Sequence, residues 1–342
     1  MEEQNIIENN NKKTTSNLTI IFVVLTVIFA ITSILFLYLW LENSNSPRIE
    51  VSDDGYWIIN GEKTNVLANN EEKFDDGRLE YTLVEGENQE TYKITGAIDK
   101  TITEISIPKT YNNRTVTAIE ANAFTGCTSL KTIIVPNSII SIAEGAFSGC
   151  SALESITLPF TGGSANLKIG DYQFPFGYIF GSSKFEGAEE TRQAYYPSGT
   201  SVRTVADYYI PSSLKSVVVN DKFGGIDYSF INCKNIKNIT LSGDVTTIGM
   251  NAFKGCTSLT SIVIPDSVTT IDAYAFKDCS SLSSIVIGKN VTAIGGYSFS
   301  GCYNLVEVIN HSSLNITAGS EEYGYVGFYA TKIHDGKSKI VD

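Results

Sequence analysis

Six cysteines are the residues of this chain best suited to chemistry, and each occupies the same short motif. Each Cys lies three residues after a Phe and three residues before a Leu or Ile. The six copies are Phe124/Cys127/Leu130, Phe147/Cys150/Leu153, Phe230/Cys233/Ile236, Phe253/Cys256/Leu259, Phe276/Cys279/Leu282 and Phe299/Cys302/Leu305. Thiols could act as nucleophiles, as metal ligands or as disulfide partners. The context of the motif decides between these roles.

A thiol nucleophile needs a base such as His beside it, and Cys-rich metal sites often contain C-x-x-C pairs. The chain has only two histidines, His311 and His334, and no C-x-x-C pair. Equivalent residues on neighbouring strands would lie about 4.8 Å apart, which a disulfide could bridge. All six Cys hold one repeated position that favours small apolar side chains, so we favour buried free thiols, with disulfides as the alternative. We expect no catalytic residue, no metal site and no cofactor.

Carboxylates are the second group with chemical potential. A glycosidase needs two of them flanking a cleft, and Asp171, Glu186, Glu189 and Glu190 lie close together in the sequence. Acidic residues on a long exposed segment more often serve solvation. We therefore predict that the protein is not an enzyme and keep a polysaccharide-acting enzyme as a remaining alternative.

The motif belongs to a longer repeat of about 23 residues, a period typical of solenoids. SIVIPDSVTTIDAYAFKDCSSL (261–282) aligns with SIVIGKNVTAIGGYSFSGCYNL (284–305) without a gap. Alternating apolar residues predict a short strand, a second β-branched stretch predicts another, and a helical or 3₁₀ turn carries the Phe and Cys inward. Such units bury their apolar face only by stacking, so we predict a β-rich solenoid with parallel ladders along its axis.

Three segments carry a family resemblance: NAFKGCTSLTSIVIPDSVTTI (251–271), YAFKDCSSLSSIVI (274–287) and NAFTGCTSLKTIIVPNSI (122–139). They resemble the BspA-like, or Treponema-type, leucine-rich repeats of bacterial surface proteins, over most of residues 101–310. The resemblance implies a leucine-rich repeat solenoid with about 23 residues per coil. It also implies a non-catalytic binding or adhesion protein at the cell surface.

One long insertion interrupts the repeat. The interval from Leu153 to Leu214 is more than twice the length of one coil, and Gly177 stands where the alignment of Phe174 with Phe276 expects Cys. The inserted residues 178–213 are rich in aromatic side chains, which are enriched in interfaces. The candidate partner contacts are Tyr178, Phe185, Tyr195, Tyr196, Tyr208 and Tyr209. The alternative is a compact loop that packs its own aromatic residues against the solenoid.

Residues 18–41 contain no charge and are long enough for a helix that spans a membrane. An uncleaved anchor fits this length better than a cleaved signal peptide. Lys12 and Lys13 precede the segment, so the positive-inside rule predicts a cytoplasmic N-terminus and an extracellular C-terminal domain. The predicted domains are a cytoplasmic tail (1–17), a transmembrane helix (18–41), a β-hairpin module with linker (42–77), an N-terminal hairpin cap (78–100), the solenoid (101–320) and a C-terminal cap (321–342).

The net charge of −12 and the lack of basic clusters argue against nucleic-acid binding. Together these features predict a single-pass protein of the cell membrane whose repeat domain binds an extracellular protein or glycan. A passive structural spacer of the cell envelope is the main alternative.

Overall fold

The computed structural model describes residues 49–51, 56–59, 62–67, 77–86, 89–165, 175–195, 204–220, 225–242 and 245–335. The predicted cytoplasmic tail and the predicted transmembrane helix at 18–41 lie outside these residues, as do Asp171, Phe174 and Tyr196. Within the described ranges, no helix has both the length and the apolar character needed to cross a membrane.

The N-terminal part consists of two small antiparallel units. The strands β1 (Ile49–Val51), β2 (Tyr56–Ile59) and β3 (Glu62–Leu67) form one sheet in the order β1-β2-β3. The strands β4 (Leu79–Val84) and β5 (Thr91–Ala97) form a hairpin within the predicted cap. This hairpin joins the solenoid because β5 also pairs in parallel with a strand of the first coil.

The solenoid is built from very short strands and contains almost no helix. Its remaining strands are β6 (Glu104–Ser106), β7 (Thr110–Tyr111), β8 (Arg114–Ile119), β9 (Thr132–Ile134), β10 (Ser141–Ile142), β11 (Ser155–Leu158), β12 (Ala188–Tyr195), β13 (Thr204–Pro211), β14 (Ser216–Val219), β15 (Gly225–Ile226), β16 (Asn238–Leu241), β17 (Thr247–Ile248), β18 (Ser261–Val263), β19 (Thr270–Ile271), β20 (Ser284–Ile287), β21 (Ala293–Ile294), β22 (Glu307–Asn310) and β23 (Lys332–Asp335). Two 3₁₀ helices, η1 (Phe176–Phe180) and η2 (Tyr323–Tyr325), complete it.

One strand from each coil enters a long parallel ladder of nine strands, in the order β23-β22-β20-β18-β16-β14-β11-β9-β6. The register follows the repeat, since Ser261 pairs with Ser284 and Ile262 with Ile285. Thr292 Oγ1 likewise donates to the carbonyl oxygen of Thr269, its equivalent one coil earlier. The predicted solenoid of about 23 residues per coil is therefore confirmed. The ladder continues across the insertion, because β11 pairs directly with β14.

The second strand of each coil belongs to a second, shorter ladder, which the structure describes in two stretches. The N-terminal stretch is β10-β8-β5-β4, with β7 beside β8, and the C-terminal stretch is β15-β17-β19-β21. The coil between them includes residues 166–174, which lie outside the described residues. Within the predicted C-terminal cap (321–342), β23 pairs in parallel with β22 and extends the long ladder by one strand.

The six motif phenylalanines form the centre of the core. All six are fully buried, and rings in successive coils stack with centroids 5.0 to 5.4 Å apart where the coils are regular. Each buried ring contributes roughly 2 to 3 kcal/mol by the hydrophobic effect, and stacking contributes about 1 kcal/mol more. The core is thus a column that grows by one ring per coil.

The cysteines lie beside this column as buried free thiols, which confirms that prediction. The thiols of Cys256, Cys279 and Cys302 each donate to the carbonyl oxygen of the Phe in the preceding coil, at 3.1 Å. Burial raises the pKa of Cys256 to about 12, because the thiolate would lose its hydration. The main chain carries each Cys inward by successive tight turns, with the amide of Cys256 donating to Phe253 O at 3.1 Å.

Candidate binding surface beside the inserted hairpin

The insertion folds as a long antiparallel hairpin of β12 and β13, paired from Ala188 with Pro211 to Tyr195 with Thr204. The hairpin is fixed to the following coil by side chains of that coil. The amide Nδ2 of Asn232 donates to Arg192 O at 2.7 Å, and the Asn235 amide donates to the Glu189 carboxylate. The insertion is therefore a structured part of the solenoid flank.

The short helix η1 bridges the Phe column at the insertion. Phe180 lies 6.2 Å from Phe147 of the preceding coil, and Phe176 lies 4.8 Å from Phe230 of the following coil, between ring centroids. Two rings of η1 thus connect the described parts of the column across the insertion. The alignment assigned this position to Phe174, which lies outside the described residues.

Gly177 follows Phe176 in η1 and is approached closely by the hairpin. A Cβ atom at Gly177 would lie 2.5 Å from Tyr208 Cβ and 2.8 Å from Gln193 Oε1. Only glycine leaves room for this contact. The residue predicted to replace a Cys therefore has a role of its own, which is to let β12 and β13 pack onto the core.

Gln193 is a polar side chain from β12 that is fully buried in the core. Its Oε1 accepts from the Gly177 amide at 2.7 Å. Its Nε2 donates to Ser229 O at 3.2 Å and to Ile231 O at 3.0 Å, and it lies 3.3 Å from the Sγ of Cys233. Gln193 therefore links η1 to the next coil and satisfies the buried Gly177 amide and Ile231 carbonyl, while Ser229 O also accepts from the Phe176 amide at 2.8 Å.

The predicted contact residues of the insertion take different places. Tyr208 is only 5 % exposed, so a partner cannot reach its ring, and Tyr178 is half-buried against the core. Burial raises the pKa of Tyr178. Phe185 is half-buried, Tyr195 lies in β12 and Tyr196 is outside the described residues. Tyr178 and Tyr208 thus pack against the solenoid, as expected if the insertion is a compact loop that buries its own aromatic residues.

The carboxylates of the insertion interact with neighbouring polar groups. Glu190 accepts a hydrogen bond from the hydroxyl of the half-buried Tyr209 at 3.2 Å, which raises the pKa of Tyr209. Glu189 accepts from the Asn235 amide, and Glu186 is exposed. Among the described residues, no group of three or more His, Cys, Asp or Glu is placed to hold a metal ion.

Beyond the hairpin, three tyrosines form a row on the surface of successive coils. We call Tyr274, Tyr297 and Tyr325 the tyrosine row. The ring centroids of Tyr274 and Tyr297 are 5.8 Å apart, and those of Tyr297 and Tyr325 are 5.5 Å apart, with the rings stacked. Tyr297 is 50 % exposed and Tyr274 is 36 % exposed.

Tyr274 and Tyr297 lie two residues before a motif Phe and have left-handed backbones, with φ of 61° and 58°. Asn251 holds the same position in a neighbouring coil, with φ of 56°. Asn tolerates this conformation, whereas a bulky residue there is an outlier. The signal in the sequence is a Tyr two residues before the motif Phe, which occurs also at Tyr228. This signal was not recognised from the sequence alone.

The tyrosine row begins at a groove of about 550 Å³ between the hairpin and the coils. The groove includes side chains from β12 and from three coils. Its polar and aromatic side chains include Arg192, Tyr228, Asn232, Asn251, Lys254, Tyr274 and Lys277. No acidic side chain lines this groove in the part of the chain that the structure describes.

Parallel ladders, coils of regular length and a core column of Phe and Cys define the class of leucine-rich repeat solenoids. The BspA type leucine-rich repeat region matches residues 98–188 and 205–323 in six copies. The chain belongs to this family.

Solved structures of similar fold come from several bacteria. A leucine-rich repeat protein of Treponema pallidum is 21% identical, covers 75% of this chain and 99% of its own, and has a TM-score of 0.37. One from Bacteroides ovatus is 19% identical, with coverage of 76% and 99% and a TM-score of 0.32. A leucine-rich cell surface protein of Faecalibacterium prausnitzii is 19% identical, with coverage of 77% and 99% and a TM-score of 0.27. No curated protein matches the chain.

Proposed function

We propose that this protein is a non-catalytic binding or adhesion module of the cell surface, and that the tyrosine row is part of its contact surface for an extracellular protein or glycan. The observation that carries the proposal is the exposure of stacked tyrosines at left-handed positions. Tyr274 and Tyr297 are exposed at a repeat position that Asn251 occupies in a neighbouring coil, so the fold of the coil does not require a large ring there.

A left-handed backbone costs roughly 1 to 2 kcal/mol for a residue with a side chain such as Tyr. Stacking between exposed rings offsets part of this cost, at about 1 kcal/mol per pair. Strained residues of this kind cluster at functional sites. Tyrosine also combines apolar area with a hydrogen-bonding tip, a combination enriched in interfaces.

The location at the cell surface rests on two supports. The uncharged segment 18–41 fits an uncleaved membrane anchor, which would leave the N-terminus in the cytoplasm and the repeats outside. The similar protein from Faecalibacterium prausnitzii is described as a cell surface protein. We therefore propose single-pass anchoring in the cell membrane.

The test compares the full-length chain with the double variant Tyr274→Asn/Tyr297→Asn, in binding to panels of extracellular proteins, glycans and whole cells. Asn suits the left-handed backbone, so this variant removes two exposed rings without straining the coil. Tyr303→Asn is the matched control, because Tyr303 is 66 % exposed and lies outside the tyrosine row. Thermal unfolding monitored by circular dichroism verifies that all three proteins fold.

We expect saturable binding that weakens at least tenfold in the double variant and persists in the control. Equal binding by all three proteins would refute a role for the tyrosine row. An absence of saturable binding by the unmodified chain would instead favour the passive structural spacer.

A further inference from the structure

We infer that the groove between the inserted hairpin and the coils binds an acidic polysaccharide, through ammonium and guanidinium groups that face its carboxylates or sulfates. This inference rests on the proposed function and names the class of ligand. The charge of the groove, its dimensions and its position next to the tyrosine row support it.

The groove has the opposite charge to the chain as a whole. The protein carries a net charge of −12, yet Arg192, Lys254 and Lys277 line the groove and no carboxylate joins them among the described lining residues. Clefts lined by one sign of charge concentrate ligands of the other sign. An anionic ligand is therefore favoured here, although the rest of the surface repels it.

The three cations are available to a ligand. Arg192 lies 3.7 Å from Asp207, but their side chains are 72% and 45% exposed, and exposed pairs at this distance are weak. In the described part of the chain, Lys254 and Lys277 take part in no ion pair. The Nζ of Lys277 lies 5.6 Å from the centroid of the Tyr274 ring, which favours holding the ammonium over the ring by a cation–π interaction.

The spacing of the cations fits a polymer. Lys254 and Lys277 are equivalent residues of adjacent coils, one residue after the motif Phe, and adjacent coils are separated by about 4.8 Å along the ladder. Successive charges along the solenoid axis could meet successive acidic groups of one chain. The tyrosine row continues in the same direction from Tyr274.

The dimensions and chemistry of the groove favour a sugar chain over a protein surface. Its volume of about 550 Å³ is typical of sites for small ligands and would hold a short stretch of a polysaccharide. The lining offers polar atoms that can bond to hydroxyls: the Asn251 amide, the Oδ1 of Asn232, whose Nδ2 donates to Arg192 O, and the Tyr228 oxygen, which donates to Met250 and can accept. Aliphatic and thioether side chains are a minority of the lining: Ala194 and Ile231 are buried, and Val205 and Met250 are each 40% exposed. A protein partner would need deeper apolar pockets for its anchor residues.

The test uses the full-length chain immobilised on a biosensor and four soluble polymers: polygalacturonate, dextran sulfate, neutral dextran and poly-glutamate. The site variant is Lys254→Gln/Lys277→Gln. The matched control is Lys237→Gln/Lys332→Gln, which changes the net charge equally at exposed residues outside the groove.

We expect polygalacturonate or dextran sulfate to bind, neutral dextran not to bind, and the site variant to lose roughly tenfold in affinity while the control keeps it. Affinity for one acidic polymer over the other identifies carboxylate or sulfate as the preferred group. We also expect binding to weaken as salt rises.

The inference would be overturned by equal loss in both variants, by equal binding of neutral dextran, or by binding of poly-glutamate as tight as that of the polysaccharides. Tight binding of poly-glutamate would identify an acidic peptide as the ligand. If no acidic polymer binds while the panel experiment still finds a ligand that depends on the tyrosine row, the inference fails and the proposed function stands.

Discussion

Gln193 is the residue whose replacement most sharply tests how the insertion is built into the solenoid. The change is Gln193→Met, which keeps the length and approximate volume of the side chain and removes its hydrogen-bonding groups. If the hairpin were an appendage on a complete solenoid, this substitution would have little effect. If Gln193 completes the core, the variant should be strongly destabilised.

The expected magnitude follows from the partners of Gln193. Its removal takes away the partner of the buried Gly177 amide and of the Ile231 carbonyl, whereas Ser229 O keeps the Phe176 amide as a donor at 2.8 Å. Each unsatisfied buried group costs about 1 to 3 kcal/mol. Allowing for partial relaxation, we expect the free energy of unfolding to fall by roughly 2 to 4 kcal/mol, a large share of the stability of a typical domain.

The assay is urea unfolding of the full-length chain followed by circular dichroism, together with hydrogen exchange of the peptide that contains Gly177. Gln193→Ala adds a cavity to the same loss and should be destabilised further. Arg192→Met is the matched control, because this neighbouring side chain is exposed. A loss below about 1 kcal/mol in Gln193→Met, with unchanged exchange at Gly177, would refute the reasoning.

Three further predictions concern the core and the tyrosine row. Gly177→Ala should destabilise the protein by about 1 to 3 kcal/mol, because the new Cβ would collide with Tyr208; an unchanged urea midpoint would contradict the close approach. Burial raises the pKa of Cys256 from about 9 in the unfolded chain to about 12 in the folded chain. Between these pH values the folded state binds more protons than the unfolded state, so stability falls as pH rises. Between pH 8.5 and 10.5, the free energy of unfolding of Cys256→Ala should therefore fall by about 2 kcal/mol less than that of the unmodified chain. Urea unfolding at each pH measures this difference, and an equal fall in both proteins would contradict a buried thiol. Tyr297→Asn should change the free energy of unfolding by less than about 1 kcal/mol, since lost stacking and relieved backbone strain offset each other, and a larger loss would show that the ring serves stability.

The regular coils could be predicted from the sequence because every inward residue recurs at the same step. The pairing of Ile262 with Ile285 follows directly from aligning the two copies, and so do the buried Phe and Cys columns. The repetition supplies the register that a single strand does not specify.

The insertion could not be predicted in the same way. Gln193 has no periodic signal, and its burial depends on docking of the hairpin against Gly177, which is a tertiary event. Phe176 and Phe180 contact the motif rings on either side of the insertion from a 3₁₀ helix, an element that the aligned repeat copies did not predict there. At Tyr274 and Tyr297 the residue type was visible in the sequence, but the left-handed backbone and the stacking came only from the structure.

The long ladder has a mechanical consequence for the solenoid. It passes the insertion without a gap, through the pairing of β11 with β14. Gln193 adds a second connection at the same coil, from η1 to the carbonyl oxygens of Ser229 and Ile231 in the next coil. Because both connections cross the insertion, the coils on its two sides should move as one rigid body, and the groove beside the hairpin should keep its shape when the solenoid is bent.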